Sequence, residues 1–162
     1  MKTGFVFFYL ILSVMYLKSQ NKCDMSAMTD TIINSNKEKV TQGEFIQATL
    51  KNKSVVQLYK LSNNKYYLKL IVTENLYFDK IDNLEILSGS KSYNEKNTRQ
   101  YELNKSAGYY VIEIYKNYVA TLKDDGITGI IFGKAETNFT KQDANQVKQI
   151  AKCFYDNITL KK

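Results

Sequence analysis

The chain has 162 residues and a formal net charge of +7 at pH 7, with 23 lysines and arginines against 16 aspartates and glutamates. It contains no histidine, which excludes Ser-His-Asp triads, imidazole acid–base catalysis and His-ligated zinc sites. Arg99 is its single arginine, and because nucleic-acid proteins use the planar guanidinium to read phosphate and guanine, we expect no nucleic-acid partner.

Residues 1–20 have the pattern of a secretory signal peptide. A lysine near the start is followed by an apolar run over 5–17 and then by a polar stretch, and this run is shorter than the roughly 20 residues that a membrane-spanning helix needs. We expect cleavage after Ser19 or Gln20, which leaves 21–162 as a single globular α+β domain with no stable membrane span. A buried N-terminal helix is the alternative interpretation.

Cys23 and Cys153 are the two cysteines of the chain. In an exported protein such a pair favours a disulfide, because oxidising compartments let the bond persist. The closed loop spans nearly the whole domain, so the loop-entropy model gives the bond about 4–5 kcal/mol of stabilisation. Two free thiols are the alternative.

The start of the mature domain predicts a helix. Met25, Met28 and Ile32 recur at intervals that place them on one helical face. This spacing gives a short helix over about 24–34, and the polar residues that follow, as far as Lys39, predict a loop.

The middle of the chain predicts strands. Three segments are rich in aromatic and β-branched residues: 44–50, 54–61 and 65–73. Asn63 and Asn64 predict a two-residue hairpin turn between the last two, since asparagine tolerates the positive φ of a type I′ turn. The first segment is ambiguous, because Thr41 and Glu44 have capping-box spacing and a helix is the alternative there.

Three more strands are predicted at 84–87, 109–115 and 127–132. The polar stretch 88–104 predicts a long loop or a hairpin arm. Before the last strand, Asn117 is expected to cap a short helix, and Gly126 to supply the positive φ at its C-terminal end. Strand, helix and strand together indicate a crossover unit.

The C-terminal segment predicts the longest helix. Thr140 and Asp143 have the spacing of a cap, and apolar residues follow on one stripe: Ala144, Val147, Ile150, Ala151, Phe154 and Ile158. The predicted fold class is therefore α+β, with a mainly antiparallel β-sheet and the N- and C-terminal helices packed on one face.

Tyrosine is abundant in the predicted strands and indicates a binding surface. Alternation sends Tyr67 and Lys69 to the side of their strand opposite Leu68. Tyr109 and Tyr115 extend the patch if the two strands are neighbours, and tyrosine is enriched at interfaces. The alternative is that the tyrosines serve sheet packing and reflect an AT-rich genome.

Motifs for catalysis or cofactor binding are missing from the sequence. It contains no phosphate-cradling glycine loop, and we predict no catalytic residue, no metal site and no cofactor. The one group that suggests chemistry is a set of four acidic residues: Glu74, Asp79, Asp82 and Glu85. Paired carboxylates hydrolyse glycosides or bind calcium, but such residues are also common in solvated connections between strands.

These observations favour an exported small non-catalytic binding module, acting in the periplasm or outside the cell. Its expected partner is a protein or an envelope glycan, as for an inhibitor, an immunity protein or a cell-envelope accessory protein. A small carboxylate-based hydrolase and a purely structural envelope protein are the alternatives.

Overall fold

The computed structural model describes residues 23–34, 37–73, 81–104 and 107–160. Within these ranges the chain forms nine β-strands and two α-helices. The strands are β1 (Ser26–Asn34), β2 (Lys37–Thr49), β3 (Val55–Leu61), β4 (Tyr66–Val72), β5 (Asn83–Ser88), β6 (Lys91–Asn104), β7 (Ala107–Ile114), β8 (Gly129–Phe132) and β9 (Ala135–Asn138). The helices are α1 (Lys116–Asp125) and α2 (Lys141–Leu160).

The strands form one antiparallel sheet in the order β1-β2-β3-β4-β7-β6-β5-β8-β9. β6 joins its two halves, because its first part pairs with β5 and its later part with β7, with a register shift between Asn97 and Arg99. α1 leads from β7 to β8, and β8 pairs with β5. The predicted strand–helix–strand unit therefore exists, but β6 and β5 separate its two strands in the sheet.

The helix predicted over 24–34 is wrong, because this segment forms β1 and pairs with β2 from Ser26 to Asn34. The sequence also holds β-branched residues at Thr29, Thr31 and Ile32, which favour strands. Pairing with a long neighbouring strand outweighs a helical spacing carried by three residues. The α+β class stands, with far more sheet than helix.

The ambiguous segment 44–50 lies mostly in β2, so the strand prediction for it is confirmed. The β3–β4 turn differs from the expectation. Asn64 has a φ of 62°, its N–H donates to the carbonyl of Leu61, and the N–H of Leu61 donates to the carbonyl of Lys65. The loop therefore has three residues, with the left-handed residue last, instead of a two-residue type I′ turn.

Alternate side chains of the central strands and one side of each helix form a single apolar cluster. Leu58 of β3, Leu68 of β4 and Ile112 of β7 are each 0% exposed within it. The helices contribute Tyr118, Val119 and Leu122 from α1, and Val147, Ile150, Ala151 and Phe154 from α2. We call the side of the sheet that carries Leu58, Leu68 and Ile112 the core face.

Thr140 and Asp143 form the predicted cap of α2. The hydroxyl of Thr140 donates to Asp143 Oδ2 at 2.6 Å, and the N–H of Asp143 donates to Thr140 Oγ1 at 3.2 Å. The sequence did not predict a further donor, the N–H of Lys51, which lies 2.8 Å from Asp143 Oδ1. Burial alone would raise the pKa of Asp143, but these hydrogen bonds outweigh burial and lower that pKa. The carboxylate thus attaches the β2–β3 loop to the start of α2.

Cys23 and Cys153 form the predicted disulfide, with 5.3 Å between their Cα atoms. The bond joins the residues before β1 to α2. Next to it, Asn157 Nδ2 donates to the carbonyl of Cys23 at 3.2 Å. The disulfide and this hydrogen bond therefore connect the chain just before β1, the edge strand, to α2.

The predicted signal peptide, 1–20, lies outside the described residues, as does its expected cleavage site. Neither helix in the described part of the chain combines the length and the apolar composition that crossing a bilayer requires. The disulfide is of the kind that persists in oxidising compartments.

Candidate functional site

Three of the four residues expected to bind a partner lie together on the sheet face opposite the core face. Tyr67 and Lys69 alternate with the core residues of β4, and β7 is the neighbouring strand, with Tyr109 opposite Ile71. Lys69 Nζ lies 4.5 Å from the centroid of the Tyr109 ring, a cation–π distance. β4 and β7 are therefore neighbours, as the predicted patch requires.

Tyr67, however, is not available as an exposed anchor. Its side chain is only 6% exposed and stacks on Tyr59, with ring centroids 5.0 Å apart and an interplanar angle of 18°. Leu61 and Val111 complete this second apolar cluster. Alternation correctly predicted the face of Tyr67, but the exposure expected from it is wrong because neighbouring strands supply large apolar side chains on the same face.

Tyr115 does not extend that patch. It lies six residues beyond Tyr109, a distance of about 20 Å along an extended chain, and its side chain is 75% exposed. Helix α1 begins directly after it, so the expected cap at Asn117 is wrong and Tyr115 occupies the N-cap position. The predicted residues therefore belong to two separate surfaces.

Tyr115 lines a cleft of about 430 Å³ beside the β3–β4 turn. The cleft is formed by Asn64, Lys65, Tyr66, Glu113, Ile114, Tyr115, Lys116 and Asn117. Tyr66 and Ile114 face each other across β4 and β7, and the Tyr66 ring meets Phe154 of α2 edge-on at 6.0 Å. Because Ile114 is 3% exposed and Phe154 fully buried, this part of the cleft is continuous with the core.

An ion pair lies along one wall of this cleft. Lys65 Nζ lies 3.0 Å from Glu113 Oε1 and 3.1 Å from Glu113 Oε2. The hydrogen bond to Glu113, together with its negative charge, raises the pKa of Lys65. Lys65 and Glu113 remain partly exposed, at 50% and 33%, so they form a surface ion pair.

A second cleft of about 420 Å³ is also lined by Asn64 of the β3–β4 turn. Its lining consists of Ala27, Gln42, Gly43, Glu44, Lys60, Leu61, Ser62 and Asn64. Lys60 Nζ and Glu44 Oε2 are 3.0 Å apart across β2 and β3. Since Asn64 lines both clefts, we call the two clefts together the groove.

Gly43 keeps the strands of the second cleft close together. A Cβ atom at this position would collide with the carbonyl oxygen of Lys60 on β3. Glycine is therefore required by a close backbone approach, and not by a positive φ.

The two glutamates of the groove lie on opposite faces of the sheet, because Glu44 shares a face with Lys60 and Tyr66 whereas Glu113 is opposite Tyr67. Glu44 and Glu113 are each bound by a lysine, whereas glycosidases need two carboxylates on either side of one bond. Of the acidic set noted in the sequence, Asp82 is exposed and Glu85 accepts a hydrogen bond from Ser92. The other two members lie outside the described residues. In the described ranges no three acidic or cysteine side chains are grouped as metal ligands.

Glu95 and Tyr118 are two further titratable groups with shifted pKa values away from the groove. Burial raises the pKa of Glu95, and burial together with the charge of Glu95 raises the pKa of the Tyr118 phenol. The Tyr118 ring packs edge-on against Tyr93 at 5.2 Å. A phenol whose pKa is raised stays neutral, which makes it a poor nucleophile or base.

Comparison of the chain with protein-family models, with curated proteins and with solved structures finds no match. Sequence reasoning also missed most of the groove. Lys65 and Glu113 are 48 residues apart, and they meet only because β4 pairs with β7 in one register. Tyr115, an exposed aromatic at the end of a predicted strand, was the one member that the sequence indicated.

Proposed function

We propose that the protein is an exported, non-catalytic binding module and that the groove is its binding site. The observation that carries this proposal is a concave site with a mostly apolar surface, two lysine–glutamate pairs and one largely exposed aromatic ring, Tyr115, among its lining residues. Ligand sites are typically concave, of about 300–1,000 Å³, and place a few polar groups around an apolar contact. An inhibitor, an immunity protein or an envelope accessory protein would use such a site to recognise a protein or an envelope glycan.

Export is supported by two independent features. The segment 1–20 has the composition of a signal peptide, and the disulfide between Cys23 and Cys153 suits an oxidising compartment. Periplasmic or secreted protein would therefore begin after Ser19 or Gln20.

Binding without catalysis is favoured by the state of the charged groups. A hydrolase needs one carboxylate free to donate a proton and another free to attack or activate water. Glu44 and Glu113 instead form ion pairs at 3.0 Å with Lys60 and Lys65. Such paired groups suit hydrogen bonding to a ligand better than proton transfer.

The test is capture from the envelope and medium fractions of the source cells. Immobilised wild-type protein should retain a component that the Tyr115→Ala variant does not retain, and the component should be recovered chemically unchanged. Leu160→Ala is the matched control, because this side chain is also largely exposed, at 81%, but lies at the end of α2. Equal capture by both variants would contradict the site, and groove-dependent cleavage of the component would favour the hydrolase.

A further inference from the structure

We infer that the ligand of the groove is a neutral glycan chain, an inference that rests on the proposed binding function and specifies its ligand class. The pairing of the charged groups favours a neutral ligand. Each carboxylate of the groove has a lysine partner, and the remaining lysine, Lys116, places its ammonium 5.6 Å from the centre of the Tyr155 ring. An anionic ligand that approached Lys60 or Lys65 would compete with the carboxylate already paired to that lysine, whereas a neutral ligand would not.

Tyr115 offers an exposed ring on which a flat ligand can stack. Its carbonyl accepts hydrogen bonds from the N–H groups of Tyr118 at 2.9 Å and Val119 at 3.2 Å, so the first turn of α1 fixes its backbone. The ring itself is 75% exposed. A pyranose ring has one face made mainly of C–H groups, and such a face packs on the negative face of an aromatic ring. The tyrosine can give a sugar this contact at little entropic cost, because it has two side-chain torsions.

The polar groups around Tyr115 match the hydroxyls of a sugar. A hydroxyl both donates and accepts a hydrogen bond, and the Lys65–Glu113 pair presents a donor and an acceptor 3.0 Å apart. Asn64 and Asn117 line the same cleft and add amide groups that also donate and accept. Adjacent hydroxyls of one sugar ring would therefore find both kinds of partner beside the aromatic contact.

A peptide strand fits the groove less well than a glycan does. Peptides that bind to sheets do so mainly by adding to a free edge, where unpaired N–H and C=O groups supply the affinity. The groove is lined chiefly by β2, β3, β4 and β7, and each of these strands is paired on both sides. Its walls therefore offer side chains and not a strand edge.

The extent of the groove indicates a chain of several sugars. The two clefts of about 430 and 420 Å³ have Asn64 as a common lining residue. Each cleft has one Lys–Glu ion pair with its atoms 3.0 Å apart. The two pairs lie on opposite faces of the sheet, because Lys60 is opposite Tyr66 whereas Glu113 is opposite Tyr67. A chain that passes around the β3–β4 turn would reach both pairs, so affinity should rise with chain length until both clefts are filled.

The experiment is isothermal titration of the mature, disulfide-bonded protein with cellohexaose, chitohexaose, maltohexaose and xylohexaose, and with polygalacturonate as an anionic probe. We expect at least one neutral hexasaccharide to bind, with an affinity that added salt leaves unchanged because the ligand carries no charge. Tyr115→Ala should weaken this binding by about tenfold or more. Glu113→Gln, which removes the ion pair at similar size, should also weaken it, while Leu160→Ala should not.

Three results would overturn the inference: no neutral hexasaccharide binds, binding is unaffected by Tyr115→Ala, or polygalacturonate alone binds with strong salt dependence. The failure of the ligand class is distinguishable from the failure of the function. If the Tyr115-dependent capture described above yields a protein while every neutral glycan fails, the binding module stands and its ligand is not a glycan. If that capture also yields nothing, both proposals fall.

Discussion

Helix α2 and the groove use one sheet in opposite ways. Where α2 packs on the core face, Phe154 is fully buried, and the only carboxylate that is buried there, among the described residues, is Asp143, which caps the helix. Around the β3–β4 turn the sheet instead presents two ion pairs and leaves Tyr115 largely exposed. The first region removes apolar surface from water, whereas the second keeps a large ring in water with no gain in stability.

The comparison indicates that the residues that stabilise the fold and the residues proposed to bind a ligand occupy different parts of the sheet. Tyr66 connects the two regions, since its ring meets Phe154 on one side and lines the groove on the other. The core therefore holds the base of the groove rigid, while the rim residues contribute little to folding. Substitutions in the two regions should accordingly affect different measurements.

Phe154→Ala should produce the largest loss of stability. Removing a fully buried ring leaves a cavity and costs about 3–5 kcal/mol. Lys152→Ala, at an exposed position of the same helix, should change the free energy of unfolding by less than about 0.5 kcal/mol. Urea unfolding measures both, and equal effects would show that α2 does not carry the core.

Loss of the disulfide should come next. The bond closes a loop with a sequence separation of 130 residues, and replacing Cys23 and Cys153 by serine should cost about 2–5 kcal/mol. The melting temperature should fall by about 5–15 °C, and peptide mapping without reductant should join the two cysteine peptides in the wild type. Two thiols that alkylate freely in the native exported protein would contradict the bond.

Asp143→Asn should cost about 1–3 kcal/mol, because the variant loses hydrogen bonds to a charged acceptor. The native carboxylate has a pKa below its ordinary value of 3.8, so its contribution is present above that pH and is lost as the pH falls through the lowered pKa. The variant should therefore show a weaker loss of stability in acid. Asp124→Asn, whose side chain is 69% exposed, is the control that should behave as the wild type.

Tyr115→Ala should have the smallest effect on folding and the largest on binding. Its exposed ring should contribute less than about 0.5 kcal/mol to stability, although its loss removes the platform of the groove. Thermal unfolding measures the effect on stability. Calorimetric titration of the same preparation, with a hexasaccharide that binds the wild type, measures the effect on affinity. A large drop in melting temperature would place Tyr115 in the structural group with Phe154.

Local patterns predicted the elements of this fold better than its assembly. The cap at Thr140 and Asp143, and the positive φ of Gly126, depend on residues close in sequence, and both predictions are confirmed. The helix over 24–34 failed because the deciding interaction is the pairing of β1 with β2. The outcome depended on a neighbouring strand that short-range periodicity does not report.

The candidate site was harder to predict for the same reason. The sequence correctly placed three residues on one face of the sheet: Tyr67, Lys69 and Tyr109. It did not show that Tyr59, on β3, stacks on Tyr67 and covers it. The groove needs the turn at Asn64 to meet the end of β7, which only the order of the strands determines. The sequence could therefore indicate the exposed aromatic residue at the end of a strand, but not the other residues that line the groove with it.

Amide chemical-shift mapping tests the separation of the two regions most directly. Titrating ¹⁵N-labelled mature protein with the hexasaccharide that binds most tightly should shift the amides of Asn64, Lys65 and the segment 113–117. The amides along the buried side of α2, and those of Lys69 and Tyr109, which lie farther along β4 and β7 from the groove, should remain in place. Shifts centred on Lys69 and Tyr109, with the groove unchanged, would contradict the account.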